Sequence, residues 1–114
     1  MSRPEKPLIW LDGELKSPPF TKAARIEAGY LLRLLQSGQL LGLPQSRPMP
    51  SIGRHCQELR IVDENKTWRM IYRLDEDAVI LVRIFAKKSQ VTPRAQLALA
   101  RKRLAEYDRI SRGD

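Results

Sequence analysis

A single cysteine and a single histidine occur in 114 residues, and that scarcity removes several classes of function. One cysteine, Cys56, permits no intramolecular disulfide and fits a reducing cytoplasm. Cys56 and His55 together fall short of a metal site's ligand count. No apolar run approaches the roughly 20 residues that a membrane-spanning helix needs. Pro4, Glu5, Lys6 and Pro7 interrupt the region where a signal peptide would carry its apolar core. Acidic residues are also few: 13 Asp and Glu stand against 21 Lys and Arg, for a net charge of +8. The excess points to an acidic partner, either nucleic acid or acidic protein or both. Apolar residues at 42% and charged residues at 30% fit one globular domain over 1–114, with 1–7 and 110–114 as loose ends.

The stretch from Glu58 to Lys88 organises the rest. It reads as three antiparallel strands, Glu58–Val62, Thr67–Leu74 and Ala78–Phe85, joined by polar turns at Asp63–Lys66 and Asp75–Asp77. Strand side chains alternate between faces. One set, including Leu59, Ile61, Trp68, Met70, Tyr72, Ile80, Val82 and Ile84, is apolar throughout. The other holds Glu58, Arg60, Arg69, Ile71, Arg73, Val79, Leu81, Arg83 and Phe85 and continues towards Lys87 and Lys88. Closing the first turn with Val62 opposite Thr67 sets Arg60 opposite Arg69. Closing the second with Arg73 opposite Val79 sets Arg69 opposite Arg83. Like charges directly opposite each other are destabilising, so a row of guanidinium groups suits an anion such as phosphate. The alternative is arginines that are solvated or paired with Glu58 and other acids.

Around this sheet, Leu8–Leu11 suits a short added strand, with Trp10 packing at the core or sheet edge. Thr21 suits a helix N-cap for Lys22–Ser37, with Ala23, Ile26, Tyr30, Leu31, Leu34 and Leu35 as its apolar stripe and Gly38 just past its end. Residues Gln39–Gly53 carry Pro44, Pro48 and Pro50 and read as a stiff loop. Arg47, Arg54 and His55 flank the start of the sheet and either extend the basic face or lie at the surface. Thr92-Pro93 starts a second helix to about Arg109, with Leu97, Ala100, Leu104 and Tyr107 on one side. The sum is an α+β fold, mainly antiparallel, with helices on one face in the order strand–helix–loop–three strands–helix.

Several strings then carry a family resemblance: Ser46-Arg47-Pro48-Met49-Pro50-Ser51-Ile52-Gly53, Glu58-Leu59-Arg60-Ile61, Thr67-Trp68-Arg69-Met70-Ile71-Tyr72-Arg73, Phe85-Ala86-Lys87-Lys88, Thr92-Pro93 and Arg103-Leu104-Ala105-Glu106-Tyr107-Asp108. Together they resemble phage-derived RelE/ParE-superfamily toxins of the HigB type, over about Leu8 to Asp108. The resemblance implies a RelE-like fold and the toxin of a type II toxin–antitoxin pair. Such toxins are endoribonucleases that cut mRNA on the translating ribosome, without metal or organic cofactor. Their partner is a helix-turn-helix antitoxin, which also binds operator DNA. The resemblance equally admits a ParE-like toxin that inhibits DNA gyrase, or a binding module whose toxicity has decayed.

Metal-free RNA cleavage needs a base for the 2′-hydroxyl, an acid for the leaving 5′-oxygen and cations for the charge on phosphorus. Arg60, Arg69 and Arg83 suit the last role, and Lys87 and Lys88 suit backbone binding or, with a lowered pKa, the base. The family match supports Arg69, Lys87 and Lys88 most directly. Arg47, Arg54, Arg73 and Arg83 complete the expected RNA contacts. Similar sequences often carry His before the Glu-Leu-Arg element, where this chain has Gln57, which does not exchange a proton near neutral pH. His55 and Glu58 are the remaining acid–base candidates. Tyr72 resembles a family position, but alternation sends it into the core.

Overall fold

The computed structural model describes residues 5–17, 19–87 and 92–112, with Lys87 described by its place in the strand. Seven elements follow in order: β1 (Leu8–Trp10), α1 (Lys22–Gln36), β2 (Ser46–Pro48), β3 (Cys56–Asp63), β4 (Lys66–Leu74), β5 (Val79–Lys87) and α2 (Arg94–Arg112). The strands form one mixed sheet in the order β1-β5-β4-β3-β2, in which only β1 runs parallel to its neighbour. The α+β class and the three central strands are as the alternation predicts. Inside the proline-bearing loop, Ser46–Pro48 adds an edge strand that was expected as coil. Pro48 is tolerated because it sits at that strand's end, on the sheet's edge.

The first hairpin closes in the expected register, with Arg60 opposite Arg69 and Val62 opposite Thr67. The second does not. Leu74 pairs with Val79 and Tyr72 with Leu81, but Ile71 pairs with Arg83, so Val82 is an extra residue in β5. A bulge of this kind moves every side chain on one side of it to the other face. The turn also closes one residue off the expected register, with Leu74 instead of Arg73 opposite Val79, so the two offsets together set Arg69 opposite Phe85 rather than Arg83. Val79 and Leu81 join the face of Leu59, Met70 and Tyr72, while Ala78, Ile80 and Val82 join that of Ile71 and Phe85.

Both faces are therefore covered, and the helices divide between them in place of sharing one. α1 packs Ala24, Ala28, Leu31, Leu32 and Leu35 on the first face. Its stripe is turned one residue from the expected one, leaving Ile26 and Tyr30 exposed. α2 packs Ala100 and Leu104, with Leu97 and Tyr107 at the margin, on the second. Burying a large apolar side chain stabilises by about 1.5–3 kcal/mol, so the second layer is a substantial part of the core.

Local chemistry sets each helix. The Thr21 hydroxyl accepts from Ala24 N at 3.1 Å as an N-cap. The Asp63 carboxylate accepts from Thr21 N, the Thr21 hydroxyl and Trp68 Nε1, stapling the start of α1 to the β3–β4 hairpin. Burial alone would raise the Asp63 carboxyl, but these hydrogen bonds outweigh it and hold it below its ordinary value. Trp68 stacks on Phe20 at 4.1 Å between ring centroids. Gly38 takes φ +95°, a left-handed end for α1 that costs glycine little. Near the start of the described chain, Lys6 N donates to Gln36 O and Lys6 Nζ to Asp75 O, and α2 continues through Ile110 to Arg112.

Candidate nucleic-acid interface

The α2-side face of the sheet carries charge at the end nearest β2. Arg47 on β2 lies opposite Glu58 on β3, and two residues along β3, Arg60 lies opposite Arg69 on β4. Glu58 is fully buried, a position that a carboxylate occupies only when paired. Its Oε1 faces Arg69 Nη1 at 3.2 Å and Arg47 Nη2 at 3.4 Å. Its Oε2 accepts from the Thr92 hydroxyl at 2.6 Å, and Arg47 Nη2 also donates to that hydroxyl at 3.3 Å.

Arg69, expected to face solvent, is buried, with 3% of its side chain exposed. Burial lowers its pKa from the ordinary arginine value, the Glu58 charge raises it, and the Arg60 and Arg47 charges lower it again. The group stays protonated regardless. Two guanidinium groups, of Arg69 and Arg47, thus share one carboxylate, and Arg60 opposite Arg69 adds a further positive charge to the cluster. Among the described residues, Nε of Arg60 and Nε of Arg69 are buried donors without an acceptor. Arg60 and Arg47 are partly exposed and form the cluster's outer surface. Lys87 stands in register with Thr67, two pairs beyond Arg69 and Phe85, so its Cα borders this end of the face. The Lys87 side chain and Lys88 lie outside the described residues.

The other expected site residues are elsewhere. Arg54 and His55 precede β3, and the His55 carbonyl accepts from Leu74 N at 3.1 Å. Five residues of strand, about 16 Å, separate His55 from Arg60. His55, at φ 63°, lines a separate groove of about 730 Å³ with Arg54, Arg73, Asp108 and Arg112. Arg73 there is held by Asp75 at 2.6 Å and Asp108 at 2.7 Å, which raise its pKa further. Arg83 is bound by Asp12 at 2.9 Å and Gln96 at 2.8 Å. Of the arginines expected in a row, Arg60 and Arg69 are together, whereas Arg73 and Arg83 serve structural ion pairs.

Gln57 points away from the cluster, as alternation requires. Its Oε1 accepts from the Ser46 hydroxyl at 2.7 Å, and Tyr72 is wholly buried with its hydroxyl 2.6 Å from that of Ser46. Burial raises the Tyr72 hydroxyl above its ordinary pKa, more than the Ser46 hydrogen bond lowers it. The core role expected for Tyr72 holds. Sequence reading missed Thr92, which looked like a helix cap and is buried against Glu58, because nothing in the linear chain signals that contact.

Comparison with known families matches the phage-derived protein Gp49-like family to residues 18–105, more than three-quarters of the chain. The chain belongs to the phage-derived Gp49-like family. This is a RelE-like toxin family, associated with the toxins of toxin–antitoxin pairs, and it implies an antitoxin as partner. No curated protein and no solved structure matches the chain. Arg47, Glu58, Arg60, Arg69 and Thr92 all fall within the span matched by the Gp49-like family. Among the described residues no helix is long and apolar enough to cross a membrane.

Proposed function

We propose that this Gp49-like chain is a HigB-type toxin, an endoribonuclease that cleaves mRNA on the translating ribosome. The observation that supports this reading is the cluster of Arg47, Arg60 and Arg69 around one buried carboxylate, an arrangement with charge to spare for a phosphate. In this reading Arg60 and Arg47 hold the scissile phosphate from the outside. Arg69 is oriented by Glu58 and adds positive potential from beneath. The 2′-hydroxyl attacks the adjacent phosphorus, the bond to the 5′-oxygen breaks, and the products are a 2′,3′-cyclic phosphate and a free 5′-hydroxyl. Lys87 and Lys88 would bind the backbone or take the 2′-hydroxyl proton. A helix-turn-helix antitoxin would silence the toxin and carry the operator contact.

A second reading has one observation in its favour. Glu58 is committed to Arg69, Arg47 and Thr92, and His55 sits in another groove, so neither is free beside the cluster for proton transfer. That favours a ParE-like toxin that inhibits DNA gyrase by binding. Induced expression without an antitoxin separates the two. Under the nuclease reading growth stops, and primer extension finds new 5′ ends within translated regions that vanish when initiation is blocked. Intact messages with inhibited supercoiling would move the assignment to gyrase.

A further inference from the structure

Beside the arginine cluster, on the α2 side, lies a hollow of about 410 Å³. Arg47 and Thr92 form the wall that it shares with the cluster, while Pro48, Met49, Pro50 and Leu97 supply its remaining apolar surface and Ser51 its rim. Its volume falls in the range of small-ligand pockets, which are mostly apolar with a few placed polar groups. The walls are preformed. Met49 N donates to Cys56 O at 2.9 Å, Ile52 N donates to Met49 O at 3.0 Å, and Arg101 Nη1 ties Ser51 O to α2 at 2.8 Å. Pro48 and Pro50 fix the backbone on either side of Met49. A ligand therefore spends little on ordering the site.

Phosphate alone does not suit the part of the hollow walled by Pro48, Met49, Pro50 and Leu97, because these side chains offer it no donor and proline has no N–H. A flat, uncharged ring joined to a phosphate does fit, with the ring against the apolar walls and the phosphate on Arg47 and Arg60. Proteins read single-stranded RNA by such splayed bases, stacked on side chains or guanidinium planes and hydrogen-bonded at their edges. We infer that this hollow receives one unstacked nucleobase of single-stranded RNA, adjacent to the phosphate held at the arginine cluster, and so sets sequence preference. The inference rests on the RNA-cleaving reading and extends it to a base subsite, with Ser51 and Arg47 facing the base's polar edge.

The test uses the full chain and four homopolymeric trinucleotides, A, C, G and U, each 2′-O-methylated to prevent cleavage. Methyl resonances of Met49 and Leu97 report the hollow, and guanidinium resonances of Arg47 and Arg60 report the cluster. At least one trinucleotide should shift both sets, whereas ribose 5-phosphate should shift the guanidinium signals alone. Ser51→Tyr, a change at an exposed position that fills the rim, should weaken the favoured trinucleotide about tenfold or more and leave ribose 5-phosphate binding unchanged. A tenfold loss corresponds to about 1.4 kcal/mol of binding free energy. Trinucleotides that move the guanidinium signals while Met49 and Leu97 stay still would overturn the base subsite and leave the RNA reading standing. Trinucleotides that move neither set would overturn both.

Discussion

Arg60 and Arg69 face each other across β3 and β4, yet their replacement should have different consequences. Arg69 is buried and is the nearest cation to Glu58, so Arg69→Ala leaves a buried carboxylate short of charge. Breaking such a pair costs about 3–5 kcal/mol, and urea denaturation should show a loss of that size. Arg60 has a partly exposed side chain, and Arg60→Ala should unfold at nearly the wild-type midpoint. Under the nuclease reading it should nevertheless cut mRNA on the order of 10²–10³-fold more slowly, as for loss of one charge-stabilising donor. A folded Arg60→Ala protein that cleaves at the wild-type rate would remove Arg60 from the site.

Between elements, the joint that carries most is Asp12, in the turn after β1. It accepts from Arg83 on β5 at 2.9 Å, from Arg103 on α2 at 2.8 Å and from Ile84 N at 2.8 Å. One carboxylate thus ties the parallel edge strand, its neighbour β5 and the outer helix. Burial would raise the Asp12 carboxyl, but the Ile84 amide and the two arginines together hold it below its ordinary value. A depressed folded value means that the stabilisation is present above the unfolded pKa and is lost as pH falls through the folded one. The wild-type protein should therefore lose stability between about pH 5 and pH 2, in part through Asp12. Asp12→Asn should be less stable at neutral pH and show a shallower decline over that acid range by chemical denaturation at each pH. An unchanged slope would show that Asp12 does not contribute to acid unfolding.

For the whole molecule, the net charge of +8 bears on encounter and affinity rather than on the fold. Each neutralised phosphate of single-stranded RNA contributes about −0.7 to the slope of log K against log salt. Under the nuclease reading, contacts from Arg47, Arg60, Lys87 and Lys88 would engage two or more phosphates. Fluorescence anisotropy with an uncleavable RNA oligonucleotide should accordingly give a slope of about −1.4 or steeper. Binding that is indifferent to salt would remove the phosphate contacts from the recognition.

The elements themselves were legible in the sequence because their signals are local. Period-two alternation marks β3 and β4, Thr21 and Gly38 bracket α1, and Thr92-Pro93 precedes α2. The pairing of Arg60 with Arg69 followed from a short turn between two clearly alternating strands. What only the tertiary structure decided is which face each side chain of β5 meets, since Val82 is apolar and a bulge there leaves no mark in an unbroken apolar run. A one-residue offset at the turn and the extra residue in β5 together moved Arg83 away from Arg69. Glu58 and Arg69 are buried at one end of the second sheet face, with Thr92 and Arg47 also bonded to Glu58, which turns an expected open row of arginines into a partly buried cluster. Residues distant in the chain, Asp12 with Arg83 and Thr92 with Glu58, found each other only through packing, because an ion pair or hydrogen bond carries no periodic signature along the sequence.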